Sequence, residues 1–220
     1  MLIAAFSTLL VGQETVPAAE EGDVCFFWAF GAMVGPEGNR HLEPIEQDTV
    51  LRSGDQLKLL IGIEKRCYVY LFYRNARGEI SLLFPDSFSQ FNCPFYPKNN
   101  YIPDGEMWFE LDDDVGLEKF YLLASLKRLA SIERLYSEYI TAPSNRKKEV
   151  EGRFLKSIRL KLKEQLALGG AAERALNIGG RVRGLSKSTR SAPSIESLAK
   201  EICAPDLYCK TYTIDHKEKK

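Results

Sequence analysis

Apolar and polar residues alternate in short runs up to Leu126, and beyond it apolar residues recur at three- and four-residue steps. A period of two belongs to strands with one buried face, and a period near 3.6 belongs to helices. Val24 to Met33 carries Phe26, Phe27, Trp28 and Phe30 and reads as a buried strand, closed by the turn cluster Gly35-Pro36-Glu37-Gly38-Asn39. After a polar connection, Arg52-Ser53-Gly54-Asp55 turns into Leu57, Leu59, Ile61 and Ile63. These alternate with Lys58, Gly62 and Glu64, while Leu60 interrupts the polar side. Cys67 to Tyr73 is aromatic and β-branched, and Arg74 to Gly78 leads back into Ile80, Leu82 and Phe84, where Pro85 ends the ladder. Asp86 to Pro103 has no sustained period and reads as a long surface loop. A last hairpin is expected from Met107 to Leu111 and Leu117 to Leu126 around Asp112-Asp113-Asp114-Val115-Gly116, with Phe120, Leu122 and Ala124 on one face.

Past Leu126 the spacing changes. Leu129, Ile132, Leu135, Tyr136 and Tyr139 predict a helix stopped by Pro143. Val150, Phe154, Ile158, Leu162 and Leu166 predict a longer one over Asn145 to Leu168, ended by Gly169-Gly170, with Lys156, Arg159 and Lys163 on its other side. No acidic residue occurs from Ala175 to Ile195, and Gly179-Gly180-Arg181-Val182-Arg183-Gly184 with the serines after it reads as a flexible basic loop. Ser194 is placed to cap a short helix through Ile202, and Leu207 to Ile214 alternates again as a last strand. The predicted fold is mostly β, a sandwich or partly open barrel with inserted helices, α+β overall. Its β-rich core spans 24–126, a helical and basic insertion packed on that core spans 127–202, the final strand spans 203–215, and a charged tail spans 216–220.

Composition narrows the class. Thirty basic side chains balance thirty acidic ones, which argues against engaging polyanions with the whole surface and leaves room for a local basic patch. At 220 residues, 45% of them hydrophobic, one main core is well supported. Leu2 to Val11 is apolar and small, and Val16-Pro17-Ala18-Ala19 precedes an acidic stretch, the layout of a signal peptide over residues 1–18 with Val16 and Ala18 in the minus-three and minus-one places of the cut. A cationic start is missing, since the first basic residue is Arg40; a first strand or helix packed on the core is the other reading. Five cysteines are too few for a disulfide-built miniature fold. Cys203 and Cys209 bracket the turn-forming Ala204-Pro205-Asp206 and are the candidate disulfide, Cys67 reads as a small core residue, and Cys25 and Cys93 pair only if the fold brings them together.

Leu51, Ser53-Gly54-Asp55, Tyr68-Val69-Tyr70-Leu71, Gly78, Leu83-Phe84-Pro85, Ile102-Pro103, Gly116, Glu118 and Ala124-Ser125 occur in an order and spacing that resembles the domain of unknown function DUF4384, over about residues 25 to 130. The resemblance implies a β-rich domain of bacterial, often exported or envelope-associated proteins, sometimes fused to caspase-like peptidases or kinases. No peptidase or kinase segment is visible here, and the family carries no established catalytic residues.

Candidate chemistry is sparse. A Cys-His nucleophile pair would have to use His41, in a polar connection, or His216, in the tail, and neither has a catalytic context. No Cys-His or Cys-Cys set has zinc spacing, and Asp112 to Asp114 lacks the alternation of a calcium loop, so no metal and no cofactor is expected. Phe88, Phe91, Phe95, Tyr96 and Tyr101 load the long loop with aromatic residues, which cover the core or, where exposed, anchor a partner. Lys156, Arg159, Lys163, Arg181 and Arg183 form a basic segment suited to an acidic protein or an anionic membrane, and nucleic acid is disfavoured because the aromatic residues lie elsewhere. The functional expectation is a non-enzymatic, exported interaction module of the cell envelope that binds a protein partner. A cysteine peptidase-like hydrolase and a peripheral membrane binder are the alternatives.

Overall fold

The computed structural model describes residues 22–63, 65, 67–92, 99–175 and 194–219; the expected signal segment over 1–18 lies outside them. The alternating runs become strands β1 (Val24–Val34), β2 (His41–Pro44), β3 (Thr49–Arg52), β4 (Gln56–Gly62), β5 (Tyr68–Arg74), β6 (Ile80–Phe84), β7 (Asn99–Ile102), β8 (Phe109–Glu110) and β9 (Gly116–Ser125). Helices α1 (Ala130–Thr141) and α2 (Ser144–Ala167) follow, then β10 (Ala172–Ala175), β11 (Lys200–Ala204) and β12 (Leu207–Lys217). One sheet runs β10-β11-β1-β4-β7, with β2 beside β1 and β8 beside β4; the other runs β3-β12-β9-β5-β6. We call them sheet A and sheet B. The pairings are antiparallel except for β3 against β12.

Every second residue of the long strands fills the space between the sheets: Phe26, Trp28 and Phe30 from β1, Leu57, Leu59 and Ile61 from β4, Phe120 and Leu122 from β9, Tyr208, Tyr212 and Ile214 from β12. Phe30 meets Phe120 edge-on with ring centroids 4.8 Å apart, and Phe26 meets Tyr208 at 5.6 Å, so the two sheets interlock through aromatic pairs. Among the described residues this is a sandwich, with no closed barrel. The other face of sheet B, with Tyr70, Phe72, Tyr121 and Leu123, is covered by Ile132 and Tyr139 of α1 and by Val150, Phe154 and Ile158 of α2. Leu60, the residue that broke the polar side of its strand, turns to the outer face of sheet A, where it packs with Ala29, Ile195 and Ala199.

The helices also finish sheet B at its edges. On edge strand β6 the Ile80 N–H donates to the Tyr139 hydroxyl at 3.0 Å and the Leu82 N–H to the Tyr136 hydroxyl at 2.9 Å. On the other side, β3 reaches only the far end of β12, and the Cys209 N–H donates instead to Gln165 Oε1 of α2 at 2.7 Å. These three main-chain donors, which would otherwise be open to another strand, are thereby satisfied.

Several expectations are corrected by this topology. The segments 107–111 and 117–126 do not form a hairpin: β8 pairs with β4 in sheet A and β9 with β5 and β12 in sheet B, so the aspartate turn crosses between sheets. The long loop contains a 3₁₀ turn, Phe88–Asn92, and strand β7. The helix expected from Ser194 is a 3₁₀ turn, Ile195–Leu198, followed by β11, because Ile202 and Ala204 alternate inward beside β1. The last strand runs on through Lys217, so His216 is part of the sheet rather than of a tail. The candidate disulfide Cys203–Cys209 is not formed. Pro205 and Asp206 send β11 to sheet A and β12 to sheet B, which sets Cys203 opposite Cys25 in register and leaves Cys209 buried and free under α2.

Candidate functional site

Two regions gather chemistry-bearing side chains, and the first is at the end of the sandwich where β3 turns into β4. Arg52 to Asp55 is a tight turn: the Asp55 N–H donates to the Arg52 carbonyl at 2.9 Å, and Gly54 takes φ +90°, the left-handed conformation such a turn requires at its third residue. The Asp55 carboxylate accepts from the Arg52 N–H at 2.8 Å and locks it. This aims Ser53 at β12, where its Oγ lies 3.1 Å from His216 Nε2; His216 Nδ1 is 2.9 Å from Glu118 Oε1 of β9, and the Tyr73 hydroxyl of β5 donates to Glu118 Oε2 at 2.5 Å. Ser53, Glu118 and His216 are buried. A carboxylate only accepts, so with a neutral ring the proton sits on Nδ1 and Ser53 donates to Nε2. Burial, and then the Glu118 carboxylate beside it, push the Tyr73 phenol well above its ordinary range, so it remains a donor.

The line Ser53–His216–Glu118 has the connectivity of a serine nucleophile, its base and the orienting acid. Acyl transfer also needs N–H donors directed at the developing oxyanion. Here the neighbouring amides are committed: Ser53 N–H to the Lys217 carbonyl at 3.0 Å, Gly54 N–H to Leu111 at 2.8 Å, Asp55 N–H to Arg52. The network therefore acts as a polar pin that joins β3, β12, β9 and β5 inside a low-dielectric core. Beside it opens a cavity of about 530 Å³, lined by Val34, Arg40, Val50, Arg52, Ser53, Gly54 and Lys219 among others.

The second region is the outer face of the helical layer. Val150, Phe154 and Ile158 face sheet B, which turns Lys156, Arg159 and Lys163 outward, all three exposed. No ion pair joins them among the described residues; the pairs made by this helix's cations use Arg146, Arg153 and Lys161. Leu160, 56% exposed, lies among them, and with Arg134, Leu135 and Glu138 of α1 and Arg153 and Lys156 of α2 it lines an open groove of about 480 Å³.

The aromatic candidates are placed differently. Phe91 is buried, with its ring 4.9 Å from Tyr70 and 5.2 Å from Tyr68, and half-buried Phe88 contacts Tyr70 and Tyr136. Both rings serve the core under α1. Half-buried Tyr101 donates to Glu196 and sits beside Lys58, whose buried amine is bonded to the carbonyls of Gly105 and Met107. Phe95, Tyr96, Arg181 and Arg183 lie outside the described residues. His41 is exposed and bonded to Glu43, and the Asp112 carboxylate accepts from the Asp114 N–H within its own turn. Among the described residues no helix is long and apolar enough to cross a membrane, and no group of three His, Cys, Asp or Glu side chains is placed to hold a metal ion.

Sequence reasoning missed the Ser53–His216–Glu118 line and the cations around its cavity. Extending the alternation of Tyr212 and Ile214 by one step puts His216 inside, and Glu118 already stood in the family pattern. Comparison with curated proteins and with solved structures returned no match. Residues 50–128, from within β3 to just past β9, match the family model described as Domain of unknown function (DUF4384), so over this segment of the sandwich the chain is similar to that family, in line with its sequence resemblance.

Proposed function

We propose that the protein is a non-enzymatic, exported accessory module of the bacterial cell envelope that binds an acidic partner protein through the outer face of α2. The observation that carries this reading is the row of Lys156, Arg159 and Lys163 without ion-pair partners among the described residues, set beside exposed Leu160. An apolar anchor ringed by cations is the pattern of an interface with an acidic, amphipathic segment. The groove between α1 and α2 is concave, which suits a protein segment better than the plane of a bilayer. Commitment of the amides around Ser53 supports the non-enzymatic part, and the Cys25–Cys203 disulfide supports export, since such bonds persist in oxidising compartments.

A photo-crosslinking amino acid placed at Leu160 in the expressing cell tests the interface. One discrete protein adduct is expected, and the charge reversal Lys156→Glu, Arg159→Glu, Lys163→Glu should abolish it. No adduct at Leu160, or an adduct indifferent to the reversal, overturns the reading. Salt-sensitive association with anionic vesicles and no protein adduct would replace it with the membrane-binding alternative.

A further inference from the structure

We propose that the cavity at the end of the sandwich is a binding site for a small amphiphilic anion, a carboxylate or phosphate attached to a short apolar body. The inference starts from Gly54. The Arg40 guanidinium donates to the Gly54 carbonyl at 3.1 Å, and Lys219 Nζ lies 3.7 Å from where a β-carbon on Gly54 would stand. Glycine, with φ +90°, leaves that volume open beside Lys219. Arg52, two positions earlier, donates to the Glu218 carbonyl and so belongs to the same corner. Three cations drawn from β3, the segment after the β1 turn and the end of the chain thus surround one cavity of about 530 Å³.

The cavity also carries three carboxylates, Glu37, Glu43 and Asp55. Glu43 is held by His41 at 2.8 Å, Asp55 accepts from the Arg52 N–H, Glu37 is exposed, and among the described residues no ion pair joins any of them to Arg40, Arg52 or Lys219, so the three cations keep donors free for an external anion. Arg40 spends one hydrogen bond on Gly54 and Arg52 one on Glu218, so both keep donors in the fork geometry that fits two oxygens of one anionic group. The wall supplies the rest of the recognition: Val34 and Val50 line the same cavity, and Val50 is 60% exposed without a cover. An anion carrying a small apolar group would engage the three cations and shield that valine together. Behind the cavity, the buried line Ser53–His216–Glu118 fixes the turn, so the site is formed before the ligand arrives.

The test is an amide-resolved NMR titration with phenyl phosphate, inorganic phosphate and sodium chloride at matched ionic strength. Phenyl phosphate should give saturable shifts over Gly35–Arg40 and Val50–Asp55 with a Kd below roughly 1 mM, and inorganic phosphate should bind the same residues more weakly. Arg40→Gln and Lys219→Gln should each weaken phenyl phosphate about tenfold, whereas Lys148→Gln, an exposed lysine near the start of α2, should leave it unchanged. Lys219 makes no hydrogen bond among the described residues, so its variant keeps the fold and the test holds even if Arg40→Gln unfolds. Shifts equal to those of sodium chloride, or affinity unchanged in Lys219→Gln, would overturn the proposal. So would capture of anionic vesicles through Arg40 and Lys219 with no binding of free phenyl phosphate, which would assign the corner to a lipid headgroup.

Discussion

Ser53, His216, Glu118 and Tyr73 show how single polar side chains are accommodated in this core: each gives or takes a hydrogen bond from the next, and the chain of four joins two strands on either side of β9. Buried thiols are handled in the opposite way, by neutrality. Burial pushes Cys67 and Cys209 up to about 12 from an ordinary 9.0. The unfolded chain starts to lose these protons near its ordinary value while the folded chain holds them, so the folded state binds more protons and stability falls as pH rises above 9.0. The decline is at most about 1.4 kcal/mol per pH unit for each thiol, and ends where the folded thiols titrate. Tyr70, Tyr73, Tyr208 and Tyr212, raised first of all by burial, add to the loss with the same sign at still higher pH. Urea titrations on both sides of pH 9 should therefore show the double variant Cys67→Ala, Cys209→Ala losing stability less steeply than the parent; equal slopes would refute the assignment. Cys67 was readable as a core residue from its apolar context. His216 was not, because a histidine followed by Lys217-Glu218-Lys219-Lys220 has the composition of a tail, and its inward direction depends on pairing with β9.

At the scale of elements, the two helices are part of the sandwich rather than an addition to it. Gln165 is a polar residue inside α2, buried where the apolar pattern calls for a hydrophobic one, and its role is to accept the Cys209 N–H that no strand reaches. Replacing Gln165 by Leu keeps the volume and removes the acceptor. The cost should be about 1–3 kcal/mol, the penalty for an orphaned buried donor. Hydrogen exchange gives the specific readout: the Cys209 amide should lose protection more than those of Tyr208 and Lys210, and unchanged protection at Cys209 would count against the edge-capping role. The elements themselves were legible where the local period decides them, as in Leu57, Leu59 and Ile61 or Val150, Phe154 and Ile158. Partnership was not legible. Asp112 to Gly116 marks a reversal of the chain, yet β8 and β9 enter different sheets, because β4 and β12 offer them edges that are distant in sequence. The same holds for β11, whose five residues become a strand only because β1 lies alongside.

For the molecule as a whole, the matched family segment from 50 to 128 builds much of both sheets, but β1, β11 and β12, which lie outside it, close them. The Cys25–Cys203 bond ties two of these outer strands at directly opposed positions, across a sequence separation of 178 residues. It encloses the family segment and both helices in one covalent loop. For a loop this long the chain-entropy account gives an upper stabilisation of roughly 5 kcal/mol, and native disulfides in small domains commonly contribute about 2–5 kcal/mol. Besides the bond, β11 is held by Ile202 and Ala204 in the core and by its ladders to β1 and to the four-residue β10, so it is a short strand with a short neighbour on its outer side. Loss of the bond should therefore act on sheet A first, freeing β11 from β1 while sheet B keeps its helical cover. The double variant Cys25→Ser, Cys203→Ser should lower the urea midpoint by an amount equal to that produced by reductant on the parent protein, since Cys67 and Cys209 are buried free thiols that reductant leaves alone. Amide exchange should rise along Lys200–Ala204 before it rises along Leu207–Ile214. A midpoint indifferent to both the variant and the reductant would mean that the strand pairing alone holds this edge, and would remove the disulfide as a support for export.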